Sequence, residues 1–301
     1  MKSDLECLTC MLKQAWNTVN IATEDNLLKR RILDRVSAMI PQTDLNQTPA
    51  ELSKPVYRIV AEITGNVDPY KKIKEETNRE ALSLLPTLQA VLHRSPTRLQ
   101  TALHLAVAGN IVDIGIGHAF DLQKDVMALL DVPFAIDDSA LFEKELTAER
   151  DLLYLGDNSG EIVFDRLLIE TLLAYHLRIT YCVKSAPIIN DALMEDARTA
   201  GLTDLIPVIE TGADDIGVNL ENSSPAFKKA LAEADIIIAK GQGNFETCNE
   251  LPCNFYFLLK AKCAVVAREL GVPLGSIVFK KKAERKRNGG PDRLPQFNWS
   301  L

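Results

Sequence analysis

The stretch DLLYLGDNSGEIVFDRLLIE, residues 151–170, decides the fold. Leu152, Leu153, Tyr154 and Leu155 form a short apolar run that predicts a buried strand over 151–156. From Gly160 onward, Ile162, Val163, Leu167, Leu168, Thr171 and Leu172 fall on one side of a helix over 160–175. Between strand and helix lies Asp157-Asn158-Ser159-Gly160, followed by Glu161, a polar turn at the carboxyl end of the strand. In open α/β sheets ligands bind outside that end of the strands. The N–H groups that open the following helix favour an anion such as phosphate. The turn is therefore expected to hold a metal ion and a phosphate.

The same alternation continues to the end of the chain. Strands are expected at 178–184, 205–210, 235–240, 255–260 and 276–280, most of them separated by helices, at 191–200, 225–233 and 262–270. Short apolar strands alternating with helices imply parallel βαβ units with right-handed crossovers. The fold class is α/β, a Rossmann-like, doubly wound, mostly parallel sheet. Parallel strands bring their polar ends to one rim: Asp157 and Asn158, then Lys184, then Glu210 and Thr211, then Lys240. Asp191 opens the helix after Lys184 and faces the same crevice, unless it only caps that helix. Asp157, Asn158 and Asp191 offer oxygen ligands alone, which suit Mg²⁺ or Mn²⁺ better than a thiolate zinc site. Lys184 and Lys240 could neutralise phosphate oxygens as point charges, or simply end their strands in solvent. In KGQGNFE, residues 240–246, Gly241 and Gly243 permit close approach of a ligand to the backbone. Asn244 and Glu246 then open the next helix; a tight turn with purely conformational glycines is the alternative.

Before residue 150 the chain reads as helical. Leu5, Leu8, Leu12, Trp16 and Val19 share a face, and further helices are expected over 24–40 and 49–63. Asp68 and Pro69 suit the N-cap and first position of a long helix, kinked at Pro86. Another runs from Pro96 to about Asn110, and two more cover 121–130 and 139–149. AGNIVDIGIG, residues 108–117, lacks the third glycine and the preceding strand of a dinucleotide loop. It reads as a helix end from which Asn110 and Asp113 could reach the site. The expected division is a helical region over 1–150, an α/β domain over 151–280 and a basic tail over 281–301.

The composition of the 301 residues, 47% hydrophobic and 25% charged, is that of an ordinary globular protein. A net charge of −7 argues against general nucleic-acid affinity. No apolar run approaches the length of a membrane span, and MKSDLECLTC lacks the pattern of a secretory signal. A cytoplasmic protein with neither nucleic-acid nor membrane partners is expected, its oligomeric state left open. Cys7 and Cys10 form the one CxxC, read either as packing on a helix or as a metal or redox pair. His93, His104, His118 and His176 show no ligand spacing, and neither a GxxxxGK[ST] loop nor a G-x-S-x-G elbow is present.

Three motifs, GDNSGE at 156–161, VKSAPIIND at 183–191 and KGQGNFE at 240–246, resemble the metal-dependent damage-control phosphatases. That family was once described as carboxyl methyltransferases acting on acidic residues. ECLTC at 6–10, GNVDPYKKIK at 65–74 and AGNIVDIG at 108–115 extend the likeness over nearly the whole chain. The CxxC is similar to that of the prokaryotic branch. The resemblance implies hydrolysis of small phosphate monoesters, such as sugar phosphates or phosphorylated cofactors and their precursors, with Mn²⁺, Co²⁺, Ni²⁺ or Mg²⁺. It implies Asp157, Asn158 and Asp191 as metal ligands and Lys240 as a phosphate contact. Ser159, Gly160, Glu161, Lys184, Gly241, Gly243, Asn244, Asn110 and Asp113 would line the substrate site. The nucleophile, water or an aspartate, stays open. Two other classes compete: a methyltransferase using S-adenosylmethionine and a non-catalytic phospho-metabolite sensor. The first would need a glycine-rich loop after the first strand, where Asp157-Asn158-Ser159-Gly160 stands instead.

Overall fold

A computed structural model describes residues 1–112 and 127–283. The front half begins with α1 (Leu5–Ala22), α2 (Asn26–Met39) and α3 (Pro49–Thr64). Asp4, Asp25 and Thr48 cap these three by accepting backbone N–H bonds, and Thr48 with Glu51 closes a reciprocal box. Next come α4 (Lys71–Arg94) and α5 (Arg98–Val112). The expected N-cap at Asp68 is not found. Helix α4 starts two residues later behind Tyr70, because the Asp68 carboxylate instead accepts from Lys74 Nζ at 2.8 Å. Helix α4 runs continuously through Pro86. Of the helix expected over 121–130, residues 127–130 are helical and the rest lies outside the described residues.

The remainder is β1 (Ile136–Asp137), α6 (Ser139–Glu145), β2 (Asp151–Leu155), α7 (Glu161–Leu173), β3 (Arg178–Val183), α8 (Met194–Thr199) and β4 (Val208–Glu210). Then follow α9 (Pro225–Glu233), β5 (Ile236–Lys240), α10 (Gly241–Cys248), β6 (Phe255–Lys260), α11 (Ala264–Leu270) and β7 (Ile277–Lys281). The strands form one seven-stranded sheet in the order β1-β7-β6-β5-β2-β3-β4. Every pairing is parallel except β6 with β7. That last strand runs back along β6 from the end where β6 stops. There Ala261 N–H donates to Ser276 O and Gly275 N–H to Ala261 O. The two-residue β1 was not foreseen; it carries no periodicity of its own.

Both faces of the sheet are covered, which explains why its strands read as continuous apolar runs. Leu152 and Tyr154 of β2, with Ile236 and Ile238 of β5, pack into one cluster with α4, α5 and α7. Leu153 and Leu155, with Ile237 and Ala239, face a second cluster containing α1, α2 and α3. The helical front half thus supplies cover to both sides. From β2 the chain winds outward through β3 to β4, then returns to place β5 on the other side of β2. The topological switch point lies between the ends of β2 and β5, where Asp157 and Lys240-Gly241 stand.

Candidate active site

Backbone pairing brings the two predicted ligand segments together. Asn158 and Asp191 form an antiparallel bridge. Ala192 N–H donates to Asp157 O at 2.8 Å and Ser159 N–H to Asn190 O at 2.9 Å. Helix α8 starts only at Met194, and Asp196 accepts the N–H of Leu193 at 2.7 Å. Asp191 is therefore not a helix cap; it is held at the rim opposite Asn158. The Asn158 amide donates through Nδ2 to Asp157 Oδ2 (3.0 Å) and Glu161 Oε2 (3.3 Å). Its carbonyl oxygen is the atom left to meet a cation.

Lys184, buried at the end of β3, places Nζ 3.7 Å from Asp191 Oδ2 and donates to the Gly217 carbonyl. Lys240, expected as a phosphate contact on the rim, sits differently. It is 0% exposed, and its ammonium donates to Glu161 Oε1 (2.6 Å), the Ala106 carbonyl (2.8 Å) and Asp165 Oδ1. The flexible four-methylene stem of a lysine at a strand end can point down as easily as out, and two buried carboxylates draw it down. Asp165 also accepts from the hydroxyls of Tyr154 and Tyr181, each at 2.7 Å. Burial pushes the Glu161 carboxyl up from its ordinary value; Lys240 opposes this, while Asp157 and Asp165 add to it.

The helix N-terminus expected to receive phosphate has spent several donors within the protein. Besides Ser159, Gly160 N–H donates to Asn78 Oδ1 at 2.7 Å and Ile162 N–H to Asn158 O at 3.2 Å. The Ser159 hydroxyl, buried in the same turn, meets no hydrogen-bond partner within the described protein. Asn244 is a staple: its Nδ2 donates to Gly156 O (3.0 Å) and Lys240 O (2.8 Å), tying the ends of β2 and β5 together. Gly241 adopts φ +75°, and a Cβ there would lie 1.8 Å from Asp157 Oδ2. Gly243 packs against Ile216 and Gly217. We expect Gly241→Ala to lower activity at least tenfold by displacing the Asp157 carboxylate, with metal affinity falling in parallel. Unchanged metal affinity in a titration of that variant would show that the carboxylate tolerates the shift. The Asn110 side chain and all of Asp113 lie outside the described residues, as does the tail from 284.

Sequence reasoning missed Asn78, Asp165, Tyr154 and Tyr181 as parts of this neighbourhood. A signal existed for two of them: Asp165 lies four residues after Glu161 on a helix otherwise buried in apolar side chains. Asn78 shares the buried face of α4 with Lys74, Thr77, Ala81, Leu88 and Leu92.

A family profile described as the damage-control phosphatase ARMT1-like domain matches residues 3–278. The chain belongs to this family. A damage-control phosphatase of Pyrococcus horikoshii is 38% identical over 282 residues, covering 92% of this chain and 97% of that protein. One of Archaeoglobus fulgidus is 33% identical over 288 residues, covering 93% and 99%. A crystal structure of a DUF89 family protein from Pyrococcus horikoshii superposes with a TM-score of 0.87 at 36% identity, covering 94% of this chain and 100% of that one. As a member of the damage-control phosphatases, the protein is a phosphatase enzyme. The family points to a divalent metal cofactor and a small phosphorylated substrate. No helix among the described residues is long and apolar enough to cross a membrane.

The CxxC lies on α1. Cys7 is buried and Cys10 exposed. Both line a cleft of about 490 Å³ with Gln14, Gln242, Glu246 and Cys263. Burial pushes both thiols up. The buried Glu246 carboxyl is pushed up to about 7, chiefly by burial. An acid whose folded pKa exceeds its unfolded one destabilises the fold as pH rises between the two, here from about 4.5 to about 7. Glu246→Gln is expected to gain on the order of 3 kcal/mol relative to wild type between pH 4.5 and pH 8. Denaturant titrations at both pH values check this; a pH-independent difference would contradict it.

Proposed function

We propose that the protein is a metal-dependent phosphatase that hydrolyses phosphate monoesters of small metabolites, sugar phosphates or phosphorylated cofactors and their precursors among them. The observation that carries this is the Asn158–Asp191 backbone pairing at the switch point, which sets the segment of Asp157 and Asn158 beside the segment of Asp191. The donor set suits a hard divalent cation, Mn²⁺, Co²⁺, Ni²⁺ or Mg²⁺. The Gly241 cradle, which only a residue without Cβ can form, leaves the Asp157 carboxylate at the rim. The unpartnered Ser159 hydroxyl beside it invites a ligand.

Asp157, Asn158 and Asp191 would hold the cation, which when bound supplies Lewis-acid polarisation of the phosphoryl group and activation of a water. Lys184, beside Asp191, would take phosphate charge, and Ser159 would hydrogen-bond a phosphate oxygen. Lys240 would balance Glu161 and Asp165 from below and so keep the anionic floor from repelling the substrate. The front half to residue 150 would support the ligand loops, and residues 151–280 would carry the ligands.

The test is phosphate release from p-nitrophenyl phosphate and a panel of small phosphate esters by chelated protein, alone and with each metal restored. Metal-restored turnover is the expected result. No turnover with any metal, together with thermal stabilisation by a phosphorylated ligand, would support the sensor reading instead.

A further inference from the structure

The turn carrying Asp157 and Asn158 and the segment carrying Asp191 are bridged a second time, through a helix of the front half. Asn78 stands in the first half of α4 and is 3% exposed. Its Oδ1 accepts the Gly160 N–H at 2.7 Å, and its Nδ2 donates to Asp196 Oδ1 at 2.6 Å. The other oxygen of Asp196 accepts the Leu193 N–H at 2.7 Å. Leu193 pairs with Lys184 in a parallel bridge, and Asp191 lies two residues before it. An unbroken path therefore runs from Gly160 through Asn78 and Asp196 to the segment between Lys184 and Asp191.

The chemistry of the two ends explains why an amide is needed. Gly160 offers a donor and Asp196 a carboxylate, so the bridging group must accept on one side and donate on the other. Asn does both in one planar group. All three partners are buried, so each lost bond leaves an unpaired polar atom and a free energy penalty. Burial raises the Asp196 carboxyl, and Lys74, one turn earlier on α4 and buried with its ammonium on Asp68, is one of the groups that oppose this. Helix α4 thus presents a cation and an amide to the same junction.

We propose that Asn78 is a positioning residue for the phosphatase reaction: it fixes the spacing between the Asp157-Asn158 turn and Asp191. It does so through the Gly160 backbone and Asp196, without itself meeting metal or substrate. The inference rests on the reading of Asp157, Asn158 and Asp191 as metal ligands.

Asn78→Ala, N78D and the exchange N78D with D196N test it. Outer partners of metal ligands cost roughly 10- to 100-fold in affinity or activity when removed. Asn78→Ala is expected to weaken Mn²⁺ binding, read by calorimetric titration, at least tenfold. Its kcat should fall by a similar factor at saturating metal, while KM moves less than about threefold, since substrate contacts are untouched. N78D sets a carboxylate against Asp196 and should fall at least as far. Adding D196N restores a donor–acceptor pair with the polarity reversed: the new amide donates to position 78 and still accepts from Leu193. The exchange should recover most of the lost Mn²⁺ affinity. Wild-type affinity and kcat in folded Asn78→Ala, or an exchange no better than N78D at equal thermal stability, would overturn the proposal. Wild-type protein without metal-restored turnover would overturn the phosphatase-site reading itself, a different outcome.

Discussion

Asp157→Ala is expected to lower phosphate release by about 10³-fold at saturating metal while leaving the fold intact. Metal ligation is worth several kcal/mol of transition-state charge stabilisation, and about 4 kcal/mol corresponds to that factor. The fold survives because the link to the neighbouring segment is made by backbone: the Asp157 carbonyl accepts from Ala192 N–H, a bond the substitution keeps, and the Asn158 amide that loses Asp157 Oδ2 retains Glu161 Oε2. The side chain also raises the Glu161 carboxyl, so its removal relieves a like-charge contact. Thermal unfolding of the metal-free variant should match or exceed wild type. A variant with full turnover would remove Asp157 from the site. One that unfolds would show the carboxylate to be structural.

Lys240→Met should have the largest effect on stability. It removes the cation between Glu161 and Asp165, all three 0% exposed, and leaves two buried carboxylates facing each other. Breaking a buried pair by deleting one partner costs about 3–5 kcal/mol. For a chain of this size the melting temperature should fall on the order of 10 °C. The deficit has a pH signature. Without the ammonium the Glu161 carboxyl, already raised by burial, is raised further, so the variant loses stability as pH rises through its folded value and recovers as acid protonates it. Asp165→Asn added to Lys240→Met should return part of the loss. A melting temperature within about 2 °C of wild type at pH 8 would mean that the network contributes little.

The sheet was legible because its central strands are covered on both faces, so Leu152–Leu155 and Ile236–Ala239 read as unbroken apolar runs. The rim was legible for the same reason: a polar residue ending such a run, such as Asp157, stands out. What lay hidden was whatever depends on three-dimensional return of the chain. Lys240 ends a strand like Lys184, and nothing local shows that one points beneath the rim and the other toward Asp191. Asn78 lies 82 residues upstream of Gly160, whose turn it serves. Its one trace was polar side chains on a helix face that should be apolar. The direction of β7 is set where the chain turns back beside Ala261, which strand periodicity does not report.

The measurement that bears most directly on the account is the stoichiometry of Mn²⁺ binding to the chelated protein, by equilibrium titration. The comparison is wild type, Asp157→Ala and the protein with Cys7 and Cys10 both changed to serine. The account predicts one site per chain that is lost in Asp157→Ala, retained in the cysteine variant, and whose filling tracks phosphate release. Binding that survives Asp157→Ala, or disappears with the two cysteines, would contradict it and move the metal to the CxxC cleft.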